Sequence, residues 1–247
     1  MKTIFFNQYS IYDGTLILVN PEYPLQSSGQ KELVPASPDY PDILLRRDAA
    51  DVLQIILKKL SAEKQIIPVS GYRSGEEQTK LYHDSLIENG ADFTKKFVAW
   101  PGHSEHQTGL AIDLGLYSDH IDFIRPDFPY DGICEAFRKA APGYGFIERY
   151  PAGKETITGI THEPWHFRYV GVPHAELMAN RSLTLEEYSD FLKTCTREHP
   201  LSFQGFQIYY VPASEASAPI FLPEDADYQI SGNNIDGFFV TVRRQNG

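Results

Sequence analysis

Apolar positions recur at helical spacing between Ile43 and Leu60: Ala49, Leu53, Ile56, Leu57 and Leu60 fall at i, i+4, i+7, i+8 and i+11, one stripe that a helix can lay against a sheet. Ser74-Gly75-Glu76-Glu77 has the form of a capping box and predicts a second helix from Gly75 to Asn89, closed by Asn89-Gly90. Asp131 can cap a third over Gly132 to Ala141, which Pro142-Gly143 stops; Pro173 and Thr184 open two more, the last on another capping box ending at Glu187. Short apolar or β-rich runs predict strands at Thr15 to Val19, Ile66 to Val69, Leu110 to Leu116, Tyr144 to Arg149 and Trp165 to Val170. The proline-bearing stretch Ser27 to Pro41 and the segment Ala91 to His103 predict loops. Beyond Pro200 the pattern changes: Phe203 to Val211 and Phe238 to Val242 are aromatic and β-branched, with turn signals at Ser231-Gly232-Asn233-Asn234 and Asp236-Gly237. The whole predicts an α+β fold with a domain over residues 1–200 and a small β-rich extension over 201–247.

One polar position interrupts this pattern. Leu110-Ala111-Ile112-Asp113-Leu114 is apolar except for Asp113, and a carboxylate is rarely buried unless it is paired or holds a metal. Gly109 permits a tight turn just before the run, so His106, seven residues upstream of Asp113, can be folded back to the same point. A neutral imidazole and a carboxylate form half of a ligand set that zinc accepts.

The second half lies in Glu163-Pro164-Trp165-His166. SxHxxGxAxD over Ser104 to Asp113, followed by ExWH, resembles the LAS group of zinc peptidases, specifically the VanY/VanXY-type D-alanyl-D-alanine peptidases, with every fixed position of both motifs filled. The resemblance extends from about Thr15 to about Ser189. It implies a central, mainly antiparallel sheet with helices packed on it, and one zinc ion per chain held by His106, Asp113 and His166. It also implies that Glu163 is the catalytic base and that Arg73, in Tyr72-Arg73-Ser74, contacts the substrate, where it is expected to stabilise the developing oxyanion or hold the substrate carbonyl. Arg73 sits at a predicted strand-to-helix corner, from which a long side chain can lean over a cleft. Ser104 is expected beside the substrate terminus, and Gln78, one turn into the helix after Arg73, is a candidate for substrate binding or support of the site.

Other histidines compete for these roles. His162-Glu163-Pro164-Trp165-His166 spells the helical HExxH motif, but Pro164 would remove a hydrogen bond from such a helix and clash with its preceding turn. The alternation after it also reads as a strand, so His162 is not expected to be a ligand. His103 could assist from outside the ligand set, and His83, His120, His174 and His199 carry no pattern of their own.

Composition narrows the partners. A net charge of −11 with no long Lys/Arg run argues against nucleic acid. The apolar patch near Met1 is cut by Asn7, Gln8 and Ser10, short of a leader core, and no apolar run is long enough to anchor the chain in a membrane. Cys134 and Cys195 lie far apart without metal-ligand spacing, as free thiols in a reducing cytoplasm would. Nothing in the pattern specifies an oligomeric state. The expected substrates are free D-Ala-D-Ala and the D-Ala-terminated cytoplasmic muramyl pentapeptide precursor, as in vancomycin resistance. A cell-wall-recycling D,D- or L,D-carboxypeptidase and a zinc-stabilised binding module without activity are the alternatives.

Overall fold

The computed structural model describes residues 1–26 and 32–243. In chain order its strands are β1 (Lys2–Ile4), β2 (Leu33–Ser37), β3 (Tyr40–Arg46), β4 (Ile66–Ser70), β5 (Ala111–Leu116), β6 (Phe146–Tyr150), β7 (Glu163–Tyr169), β8 (Leu201–Phe203), β9 (Phe206–Pro212), β10 (Ile220–Leu222), β11 (Asp227–Gly232) and β12 (Gly237–Arg243). The helices are α1 (Arg47–Lys59), α2 (Gly75–Asn89), α3 (Ala91–Phe97), α4 (Gly132–Ala140), α5 (Glu155–Thr158), α6 (His174–Arg181) and α7 (Leu185–Lys193). Helices and antiparallel sheets mix as an α+β fold requires.

The chain divides into two compact units. One comprises mainly Val19–Leu25 and Gln30–Thr184, the other mainly Met1–Leu18 and Leu185–Gly247. This differs from a boundary at residue 200. The N-terminal segment belongs with the C-terminal part because β1 pairs with β10, Thr3 opposite Phe221, a contact between chain ends that no local pattern signals.

The first unit is built on the antiparallel sheet β4-β5-β7-β6. The apolar stripe on α1 packs where its spacing predicts: Ala49, Leu53, Ile56 and Leu57 share one core with Ile66, Ile112, Leu114 and Phe167 from the sheet. Full burial of each large aliphatic side chain there contributes about 1.5–3 kcal/mol. The helix begins at Arg47 and not near Ile43, because Tyr40–Arg46 is the second strand of a β2–β3 hairpin. That hairpin replaces most of the predicted proline loop; residues 27–31 of the loop lie outside the described residues. Pro35 and Pro41 are compatible with strands here because the hairpin has two strands, both of them edges. Helix α2 carries the predicted capping box: Ser74 Oγ accepts from the Glu77 amide, and Glu77 reaches back to the Ser74 amide. Ala91–Phe97 forms α3 where a loop was expected, and Thr15 to Val19 forms no strand.

The second unit holds the sheet β11-β12-β9-β8. Its core gathers Phe6, Tyr209, Val211, Phe238, Val240 and Val242.

Candidate active site

Two irregularities in the first unit's sheet set up its central cavity. On β4 the register slips between Pro68 and Ser70, which leaves Ser70 opposite Asp113. On β7, four steps from Phe167 to Glu163 face only two on β6, from Glu148 to Tyr150. Residues three apart on a regular strand point to opposite faces. The slip at Pro164 lets Glu163 and His166, three apart, line the same cavity of about 230 Å³. Arg138 fastens this irregular segment, donating from Nη2 to the carbonyls of Pro164 and Phe128 and from Nε to Glu148.

His106, Asp113 and His166 meet at the floor, with one possible ligand atom from each lying within 4.8 Å of the others. Asp113 and His166 are direct cross-strand partners, and Asp113 Oδ1 is 2.9 Å from His166 Nδ1. His106 comes from the 3₁₀ turn Glu105–Thr108, which ends on Gly109 in the left-handed conformation at φ 73°; that glycine turns the chain into β5. The Nδ1 of His106 is 2.7 Å from the Gly71 carbonyl, which can only accept, so Nδ1 carries the proton. Nε2 therefore turns a lone pair towards Asp113 Oδ2 at 3.1 Å. A lone pair and an ionised carboxylate this close favour a cation between them, and two imidazoles with one carboxylate are a donor set that suits zinc.

The charges around this point are strongly tuned. Burial pushes the Glu163 carboxyl up to about 8, with Asp113 adding to the effect, while His166 and Arg73 oppose it. Burial, helped by Arg73, lowers His106 to about 4. Burial also opposes the charge on His166, but its contacts with Asp113 and Glu105 raise it to about 9. Asp113 is held below the usual carboxylate range by His106 and His166 despite burial. Burial lowers Arg73 against the attraction of Asp113 and Glu163. Perturbed groups of both signs converging in one cavity are the pattern expected of a reactive site.

Arg73 and Ser104 line the cavity with these residues. The Arg73 amide is tied to the His106 carbonyl at 3.3 Å, and its Nε is buried with no hydrogen-bond partner. Gln78 is fully buried behind the wall: Nε2 donates to the Ala99 carbonyl at 2.7 Å, fixing a segment that faces the cavity. Phe97, the last residue of α3, and Val98 also line it, so part of the cavity wall comes from the segment expected to be a loop. His103 is turned away, with Nδ1 2.8 Å from the Asn20 carbonyl. His162 precedes a strand and faces Tyr130, 2.7 Å from its hydroxyl, away from the ligand cluster.

Sequence reasoning missed Glu105. Its carboxylate is fully buried, with Oε1 accepting from Arg149 Nε and Arg168 Nη1, each at 2.8 Å. Burial would raise its pKa, but the two guanidinium groups hold it well below the usual carboxylate range. The available signal was an arginine inside each of two apolar strand runs, since buried charges demand a partner.

The sequence profile described as VanY, D-alanyl-D-alanine carboxypeptidase, matches residues 42–172. The chain is similar to the bifunctional D-Ala-D-Ala dipeptidase and D-Ala-D-Ala carboxypeptidase VanXYC of Enterococcus gallinarum, 44% identical over 187 residues that cover 75% of this chain and 98% of that protein. A D-alanyl-D-alanine carboxypeptidase of Enterococcus faecium is 34% identical, covering 98% of this chain and 78% of that protein. Among solved structures, the vancomycin-resistance D,D-dipeptidase VanXYg in complex with a D-Ala-D-Ala phosphinate analogue superposes with a TM-score of 0.95 at 57% identity, covering 98% of this chain and 99% of that one. A mutant of the D,D-pentapeptidase VanY from the VanB-type resistance cassette, in complex with Zn(II), gives 0.57 at 31% identity, covering 71% of this chain and 98% of that one.

Proposed function

The chain belongs to the VanY family of D-alanyl-D-alanine carboxypeptidases, and on that premise we propose that it is a zinc D,D-peptidase acting both on free D-Ala-D-Ala and on the C-terminal D-Ala of the cytoplasmic muramyl pentapeptide precursor. The observation that carries this reading is likeness over nearly the whole chain to VanXYg, with similarity to the bifunctional VanXYC across most of it. Removing both compounds would deplete the D-Ala-D-Ala terminus, as vancomycin resistance requires.

His106, Asp113 and His166 would hold one zinc ion, which when bound polarises the scissile carbonyl and makes water more acidic, to a pKa of about 7. Glu163 is the general base. Its Oε2 lies 3.8 Å from His166 Nδ1 in the same cavity, placed to take a proton from the attacking water and return it to the leaving amine. Arg73 donates to the carbonyl oxygen as negative charge develops there; its partnerless Nε in the cavity wall supports this role. Ser104 lines the substrate side, and Gln78 supports it through Ala99. Two buried free cysteines and the absence, among the described residues, of any helix long and apolar enough to cross a membrane are compatible with work on a cytoplasmic precursor.

D-Alanine release from D-Ala-D-Ala, from the muramyl pentapeptide and from a tetrapeptide ending in L-Lys-D-Ala separates the reactions. Release from the first two establishes the bifunctional enzyme. Release from the tetrapeptide alone would move the assignment to an L,D-carboxypeptidase.

A further inference from the structure

The Glu105 carboxylate is asymmetric in its surroundings. Oε1 takes both guanidinium donors, from Arg149 on β6 and Arg168 on β7. Oε2 faces only His166 Nε2, at 3.6 Å, and neither of these two buried atoms has a hydrogen-bond partner within ordinary distance. Taking three charged side chains out of water carries a desolvation penalty for each ion, and apolar residues of the same volume would fill the space without it. The trio is thus an expensive way to fill a core but a rigid way to aim one oxygen at one imidazole. The other histidine of the cluster, His106, is oriented by the neutral Gly71 carbonyl.

We propose that Glu105 is the positioning residue of the metal centre: when His106, Asp113 and His166 hold the metal, Oε2 accepts the Nε2 proton of His166 and leaves Nδ1 as the ring atom free to bind, while Arg149 and Arg168 hold the carboxylate in place. The inference rests on the reading of His106, Asp113 and His166 as a metal site. A carboxylate behind a histidine ligand orients the ring and raises its basicity, and loss of such a partner typically weakens metal binding about 10–100-fold.

The test uses the full-length protein stripped of metal, zinc titration against a chromogenic chelator, and the visible absorption of the cobalt-loaded form. Glu105→Gln puts an amide beside a ring N–H and is expected to lower zinc affinity about 10–100-fold and change the cobalt spectrum, with the far-ultraviolet circular dichroism retained. Glu105→Asp keeps the charge between the arginines but withdraws the oxygen from His166, so a smaller loss of affinity is expected. It also decides the matter if the glutamine variant fails to fold. A folded variant with zinc affinity within about twofold of wild type and an unaltered cobalt spectrum overturns the role of Glu105 while leaving the metal site standing. Wild-type protein that takes up no zinc overturns both.

Discussion

The two sheets bury different things. Every buried aspartate, glutamate, arginine or histidine among the described residues belongs to the unit of β4-β5-β7-β6, including Glu105, Asp113, Glu163, Arg149, Arg168 and His174. The buried polar side chains of the other unit are neutral, such as Ser231, Asn233 and Thr241. Regularity divides the same way: β12 pairs with β9 without interruption from Gly237 opposite Pro212 to Arg243 opposite Phe206, whereas the first sheet slips beside Pro68 and Pro164. An uninterrupted apolar sheet contributes stability, and a sheet with bulges and buried charge gives some of it up to place reactive groups.

The sharpest way to break this contrast is at the proposed base. Glu163→Gln should lower kcat by about 10²–10⁴-fold with the zinc content unchanged, measured by D-alanine release alongside metal analysis. Undiminished turnover would remove Glu163 from the mechanism. Arg138→Met tests the fastening of the slipped strand: loss of a largely buried guanidinium that bridges Glu148 and Pro164 should cost about 3 kcal/mol in urea unfolding and lower kcat as well. Val240→Ala, in the regular sheet, should cost about 2 kcal/mol and leave kcat/KM unaltered; a matching fall in activity would mean that the two sheets do not divide the work.

Smallest per step of the variable is the pH dependence. Burial lowers His174 from 6.5 to about 3. Between those values the unfolded chain binds a proton that the folded chain refuses, so stability present above pH 6.5 is lost as the pH falls towards 3. The slope from this one group is at most about 1.4 kcal/mol per pH unit, and His174→Gln should flatten the urea midpoint over that window. An unchanged slope would assign the acid sensitivity to the other buried groups.

Where information is local, the chain was legible. The Ser74 capping box fixed α2 from Gly75 to Asn89, and the lone carboxylate in Leu110 to Leu114 marked the strand that carries Asp113. The motif residues His106, Asp113, Glu163 and His166 do converge, with Arg73 in the same wall. What escaped depends on distant partners. The β2–β3 hairpin was hidden by prolines that only edge strands tolerate, and β1 finds its partner more than 200 residues away. Glu105 looked like an ordinary motif residue because Arg149 and Arg168 reach it from two strands distant in sequence.

A catalytic metal, unlike a structural one, can be removed from a scaffold that stays folded. We would strip the wild-type protein with a chelator, follow D-alanine release from D-Ala-D-Ala while titrating zinc back, and record far-ultraviolet circular dichroism throughout. Activity that vanishes and returns as zinc is restored, reaching its plateau near one ion per chain while the spectrum stays constant, is the predicted result. D-Alanine release that persists after the zinc is gone, or a chain that unfolds when it is removed, would contradict the account.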